Sequence, residues 1–355
     1  LKGKNDFIPA LLKEMQLRKD YIAGEPVATV YFGGGTPSLL EPDQLRAIIV
    51  RLVALFTMAP DAEITLEANP DDIAPERLAA WRSAGVNRLS IGVQSFFEED
   101  LRWMNRAHDA RQALECTGMA QREGFDLSID LIYGGPTLPD IHWKQNVEQA
   151  IGLGVPHLSC YALTVEPRTA LDTLIRRHQV QDVDQADQAR QFRLLMDWTH
   201  RAGYEHYEIS NFALPGHRSR HNSSYWRGHP YLGLGPSAHS FNGVSRQWNI
   251  ANNAGYVAAL GEGGAGLIAG KEDLTPIQQL NEYIMISLRT AEGSSFQAVE
   301  RRFGPKLAER LWQRAERYMV SGKIKTSAEV LQLTREGKLL ADGIAADLFF
   351  EQGGY

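Results

Sequence analysis

The sequence predicts an α/β protein of parallel strands, closed at its end by a small, mainly helical unit. Three observations carry this. Short apolar runs recur along the first two thirds of the chain, separated by amphipathic segments with apolar residues three and four apart. Glycines and polar residues collect where those runs stop. After about residue 271 the alternation gives way to helices and one hairpin.

The predicted strands are VATVYF (27–32), EITLEA (63–68), RLSIGV (88–93), LSIDLI (127–132), HLSCYAL (157–163) and HYEIS (206–210). The helical segments between them include DQLRAIIVRLVALF, PERLAAWRSAG and DQARQFRLLMDWTHRAG, and several end in Gly, a common helix stop. Strand–helix alternation implies parallel strands with right-handed crossovers. The runs read as nearly continuous in hydrophobicity, as strands covered on both faces do. A full or partial (β/α) barrel and a doubly wound sheet both satisfy this pattern. In either fold the site lies at the carboxyl edge of the strands.

Residues 211–270 show little helical or strand period, and Gly, Asn, Ser, His and aromatics dominate. From 276, PIQQLNEYIMISLRTAEG and PKLAERLWQRAERYMVSG read as helices, followed by a hairpin and a further helix. That order suggests a winged-helix-like unit. The expected division is 1–215, 216–270 and 271–355.

The chain has 355 residues and a net charge of −6, which argues against a mainly electrostatic nucleic-acid binder. No apolar run approaches the ~18 residues of a membrane span. Only Cys116 and Cys160 are present, in no CxxC spacing, so a reducing, cytoplasmic setting is expected. One falls in a helical pattern and one in a strand, and both read as packing residues.

The predicted carboxyl edge opens with Gly33-Gly34-Gly35-Thr36. Without side chains, a ligand can touch the backbone directly. A phosphate-gripping GxxxxGK[ST] loop and a GxGxxG fingerprint are both absent. Glu67, Gln94, Arg106 and Asp130 stand at or near the ends of later runs. Carboxylates hold an ammonium group or ribose hydroxyls, and Arg holds a carboxylate. An amino acid joined to a nucleoside suits this mixture. Taken singly, each residue also reads as a helix cap or a surface ion pair.

VYFGGGTPSLL, ITLEANP, RLSIGVQSF, RAH and IDLIYGGP together resemble radical S-adenosylmethionine proteins of the oxygen-independent coproporphyrinogen oxidase group. HNSSYW (221–226) and YLGLGPSAHSF (231–241) look like that group's HemW branch, the heme chaperones. The resemblance runs almost the whole length. It implies a partial (β/α)6 TIM-like barrel of the radical SAM type. It also implies S-adenosylmethionine held by Gly34, Gly35, Thr36, Glu67, Gln94, Arg106, Asp130 and Ala162, with one or two molecules bound. A [4Fe–4S] cluster on a CxxxCxxC motif and an electron donor belong to the family. Residues 1–355 lack that motif, so the expectation is about one βα unit, ~30 residues, missing upstream of Leu1. Loss of the cluster is the other reading.

The branch resemblance further implies heme or porphyrin binding and transfer to an acceptor protein. His221 could ligate heme iron, Asn222 sits beside it in the motif, and Tyr225 and Trp226 could stack on the macrocycle. A structural loop with a satisfied histidine is the competing reading. His217 and His239 are rival ligands, and His108 reads as part of the barrel edge. The alternative function is oxidative decarboxylation of coproporphyrinogen III to protoporphyrinogen IX.

Overall fold

A computed structural model describes residues 4–22 and 24–351. Five parallel strands form the main sheet: β1 (Val27–Phe32), β2 (Met58–Ala68), β3 (Arg88–Gln94), β4 (Asp126–Tyr133) and β5 (His157–Ala162). They neighbour one another in chain order. Helices cross between them, such as Pro42–Leu55, Ala110–Arg122 and Asp140–Gly152.

The sixth expected strand, 206–210, is not there as one parallel strand. The chain forms β6 (Glu205–His206) and β7 (Asn211–Ala213), an antiparallel hairpin whose β7 pairs antiparallel with β5. The buried Glu208 carboxylate accepts from Ser210 N (3.0 Å) and from Asn211 Nδ2. Those local bonds compete with a sheet ladder and reverse the chain within the predicted run.

The strands are not uniformly apolar either. Leu66, Leu89, Ile91, Leu127, Ile129, Leu131 and Leu158 face the helices and form the main core with Trp81 and Trp143. The alternate positions are polar: Glu63, Thr65 and Glu67; Arg88 and Ser90; Asp126, Ser128 and Asp130; His157 and Ser159. This is a period of two, with the polar face turned inward. Tyr31, Glu67, Ser90, Asp130 and Ser159, one from each of β1 to β5, line a single cavity of about 70 Å³. A flat sheet would spread five strands over roughly 19 Å, at ~4.8 Å per step. The sheet therefore curls into a partial barrel.

Residues 216–270 are more regular than the sequence suggests. They hold the helices Arg220–Trp226 and Asn253–Gly261 and most of a three-stranded antiparallel sheet whose last strand runs on to Asp273. Its strands are β8 (His239–Phe241), β9 (Ser245–Asn249) and β10 (Ile268–Asp273). Runs this short, with β10 exposed almost throughout, leave no readable alternation. Beyond them lie helices Pro276–Leu288, Phe296–Phe303 and Pro305–Val320, then a small sheet and helices Arg335–Lys338 and Ala341–Asp347. The small sheet comprises β11 (Ser294–Ser295), β12 (Ile324–Ser327) and β13 (Val330–Leu333). This unit has its own core, including Leu280, Ile284, Leu311 and Leu331. Among the described residues no helix is long and apolar enough to cross a membrane.

Candidate functional site

The glycine edge follows β1 directly. Gly34 and Gly35 take φ of 72° and 128°, where a side chain is strained. Gly33 is small for a different reason. A Cβ there would stand 2.6 Å from Tyr31 Cε1 and 2.8 Å from Glu67 Oε1. The edge is thus folded over the Glu67 side chain. Gly34 N donates to Glu67 Oε2 (3.3 Å), and Tyr31 Oη donates to Glu67 Oε1 (2.7 Å). Burial, then the Glu67 charge, pushes the Tyr31 hydroxyl far above its ordinary pKa, so it stays a donor. Thr36 is exposed at the start of the short turn Pro37–Leu39.

Asp130 opens onto the same cavity as Glu67. Ser90 Oγ approaches it at 3.5 Å. Burial is the main cause that raises its pKa, to about 7; Ser159 opposes this and the Glu67 charge adds to it. Asp130 can therefore hold or release a proton near neutral pH.

Gln94 ends β3 at a register shift and is one of the few non-glycine residues with positive φ, 67°. Strain of this kind collects at ligand edges. Its amide and the Arg106 guanidinium both crowd the position a Cβ on Gly92 would take, at 2.9 and 3.0 Å. Arg106 donates to Gly92 O (3.2 Å) and Asn69 Oδ1 (3.5 Å). Its pKa is lowered by burial, with Asp71 and Asp130 opposing. His108 is buried against Val93 O (3.0 Å), at the barrel edge as the sequence suggests. Ala162 packs its side chain against the core, so only its backbone is available to a ligand.

The predicted rim residues thus fall into two linked groups, Gly34–Glu67–Asp130 and Gln94–Arg106. Tyr31, Arg88, Ser90, Ser128, Ser159 and Tyr161 also line this cavity and were missed. The signal for them was the period-two polar alternation.

HNSSYW forms most of a helix, Arg220–Trp226, packed against β1 and β2. Arg220 N and His221 N donate to Glu63 (3.0 and 2.9 Å), and Arg220 Nη1 pairs with Asp61 (3.0 Å). His221 Nδ1 meets Thr29 Oγ1 (2.8 Å), and its ring stacks on Tyr31 (4.7 Å between centroids). Burial lowers its pKa to about 4, so the ring is neutral at physiological pH. Asn222 faces the barrel cavity, Tyr225 packs edge-on against His221 and Tyr231, and Trp226 points to a second cavity. The four residues do not converge on one surface. His217 Nδ1 pairs with Asp126 (3.0 Å), and His239 stacks near Trp248 (5.8 Å).

Residues 10–150 match the Radical SAM superfamily, and residues 274–340 match the HemN C-terminal domain. The heme chaperone HemW of Mycobacterium tuberculosis is 37% identical over 96% of this chain and 85% of its own length. That decides the assignment. The chain belongs to the HemW family. HemW of Bacillus subtilis is 31% identical over 96% of this chain and 90% of its own. The Escherichia coli coproporphyrinogen III oxidase HemN, a radical SAM enzyme, shares the fold with a TM-score of 0.82 at 24% identity, covering 97% of this chain and 83% of that one.

The HemW family fold implies S-adenosylmethionine and a [4Fe–4S] cluster, and the residues present fit these two groups unequally. The glycine edge folded on Glu67, with Asp130 and Arg106 behind it, suits a zwitterionic nucleoside. The cluster is not matched. Cys116 and Cys160 are both buried, the first with its thiol pushed up to about 12 by burial. Among the described residues no group of three His, Cys, Asp or Glu is arranged to hold a metal.

Proposed function

We propose that this chain is a heme chaperone that binds heme, passes it to an acceptor protein and holds S-adenosylmethionine at the carboxyl edge of its barrel. The observation that carries the reading is the 37% identity to a heme chaperone over 96% of the chain. The oxidase alternative has weaker support, because a likeness at 24% identity speaks for the fold alone.

In this reading Gly34, Gly35 and Thr36 offer backbone and hydroxyl groups to the ligand's amino-acid end. Glu67, oriented by Tyr31 and Gly34, takes its ammonium group or ribose hydroxyls. Arg106 is placed for the carboxylate, Gln94 and the Ala162 backbone complete the edge, and Asp130 holds or moves a proton beneath them. S-adenosylmethionine, when bound, supplies a sulfonium whose carbon–sulfur bond can be cleaved reductively. A [4Fe–4S] cluster and its electron donor have no ligand set in residues 1–355, which contain only two cysteines.

His221 is the proposed iron ligand. Thr29 occupies Nδ1, which leaves Nε2 with a free lone pair when Nδ1 carries the proton. Asn222, Tyr225 and Trp226 form the surrounding segment. The division into 1–215, 216–270 and 271–355 and a cytoplasmic setting belong to the same proposal; two unbridged cysteines fit the latter.

Titration with hemin, followed by mixing with an apo-hemoprotein of distinct spectrum, tests the function. The expected result is a saturable shifted Soret band that decays as the acceptor's band grows. A spectrum that remains that of free hemin overturns the reading. Loss of the shifted band in His221→Ala supports ligation there, and an unchanged band removes His221.

A further inference from the structure

A second cavity, of about 250 Å³, lies on the other side of the helix Arg220–Trp226, where it meets the helix Pro276–Leu288. Asn222 faces the barrel cavity while Ser223 and Trp226 face this one, so the same short helix divides the two. The volume is just under the ~300 Å³ at which small-molecule sites usually begin. It fits a compact ligand or one edge of a larger one.

Three features give the cavity a chemical preference. Four aromatic residues, Tyr207, Trp226, Phe241 and Tyr283, are among those lining it, which suits a flat conjugated body. Two lining groups lack partners: the Trp226 Nε1–H and the Ser287 hydroxyl, on a side chain only 6% exposed. The indole nitrogen can only donate, so it asks for an acceptor. The charge is also unbalanced. Of the two lining carboxylates, Glu282 is held by Arg246, and Glu292 by Arg218 (2.7 Å). Arg227 and Arg302 stand exposed in the lining, and among the described residues neither has an ion pair. Arg302 lies over the Tyr283 and Phe303 rings (5.7 and 5.0 Å), which aims its guanidinium along the aromatic wall.

We propose that this cavity is a second ligand site, distinct from the barrel edge, which takes the carboxylate-bearing edge of a planar conjugated molecule, with Arg227 and Arg302 holding the carboxylates and Trp226 the ring. Resting on the function proposed above, the occupant is the propionate edge of heme. A free aromatic carboxylate shares the chemistry and is the other source the experiment separates.

The site is also wired to the barrel. Tyr207 Oη in its wall meets His157 Nε2 (2.7 Å), and His157 Nδ1 meets Ser128 Oγ (2.7 Å), which lines the barrel cavity. His157 is fully buried and neutral, its pKa held well below the usual value by burial and by the Arg88 charge.

The test compares the wild-type chain with Arg227→Ala/Arg302→Ala, both exposed positions whose loss leaves the core untouched. Three probes are titrated, with tryptophan quenching and the Soret band as readouts: hemin, an iron etioporphyrin that lacks carboxylates, and 2-naphthoate. The expected result is that the double variant binds hemin at least tenfold more weakly and loses naphthoate, while the etioporphyrin binds both proteins alike. Hemin bound equally by both proteins overturns this site and leaves the heme reading standing. Arginine-dependent binding of naphthoate without hemin binding keeps the site and sinks the heme reading. No binding of any probe overturns both.

Discussion

Asp130 is the rim residue with the sharpest consequence. Its pKa rises from 3.8 to about 7 because folding buries it beside Glu67. Between those values the folded chain keeps a proton that the unfolded chain has released. The stability this contributes is complete below pH ~4 and is lost as pH rises through ~7. Asp130→Asn removes the dependence. Its stability relative to wild type should therefore grow between pH 5 and pH 8, by about 2 kcal/mol once the solvent on the cavity side is allowed for. Paired thermal melts at the two pH values measure this, and a constant difference contradicts it. Gly33 offers a steric counterpart. Gly33→Ala drives a methyl into Tyr31 and Glu67, whereas Gly34→Ala meets open space and costs only the strain of the left-handed backbone, about 1–2 kcal/mol. Gly33→Ala is expected to lower the melting temperature more than Gly34→Ala, and the reverse order would refute the packing argument.

The strands hold the second argument, since each carries an apolar outer face and a polar inner one. Arg88, 2% exposed, is the centre of the inner face. It binds Asp126, Ser128 Oγ (2.9 Å) and His217 O (3.3 Å), with Glu63 at 3.8 Å. Removing one partner from a buried ionic network strands the others. Arg88→Met should cost about 3–5 kcal/mol in urea denaturation. Arg190, paired with Asp140 and Asp187 at the surface, should matter far less on replacement by Ala. Equal losses would contradict the role given to the inner face. This face was also the hardest part to read in advance. The five parallel strands and the placing of Gly34, Glu67, Gln94 and Asp130 at or near their carboxyl ends follow from strand–helix alternation, whereas the strand order does not, since a doubly wound sheet satisfies the same pattern. The inward set, Arg88, Ser128 and Ser159 among them, was hidden because single serines and an arginine inside apolar runs look incidental. The hairpin at 205–213 was illegible for another reason: it depends on Glu208 bonding its own backbone. His221 is the clearest case of context deciding. Its motif was legible, but its packing between Thr29 and Tyr31 depends on a barrel assembled from distant strands.

At the scale of the whole molecule, two cavities lie on either side of one short helix. The barrel cavity opens beneath the glycine edge; the other is shared with the C-terminal unit. Exposed ion pairs such as Arg193–Glu336 (2.8 Å) and Arg335–Asp197 (2.7 Å) join that unit to the barrel, while its core remains its own. The two cavities are proposed to take different ligands, and that separation can be measured. Equilibrium dialysis with radiolabelled S-adenosylmethionine should show binding to wild type and to Arg227→Ala/Arg302→Ala alike, weakened at least tenfold by Glu67→Gln with Asp130→Asn. Retention of full affinity by the Glu67 and Asp130 double variant would contradict binding of the nucleoside at the carboxyl edge of this barrel.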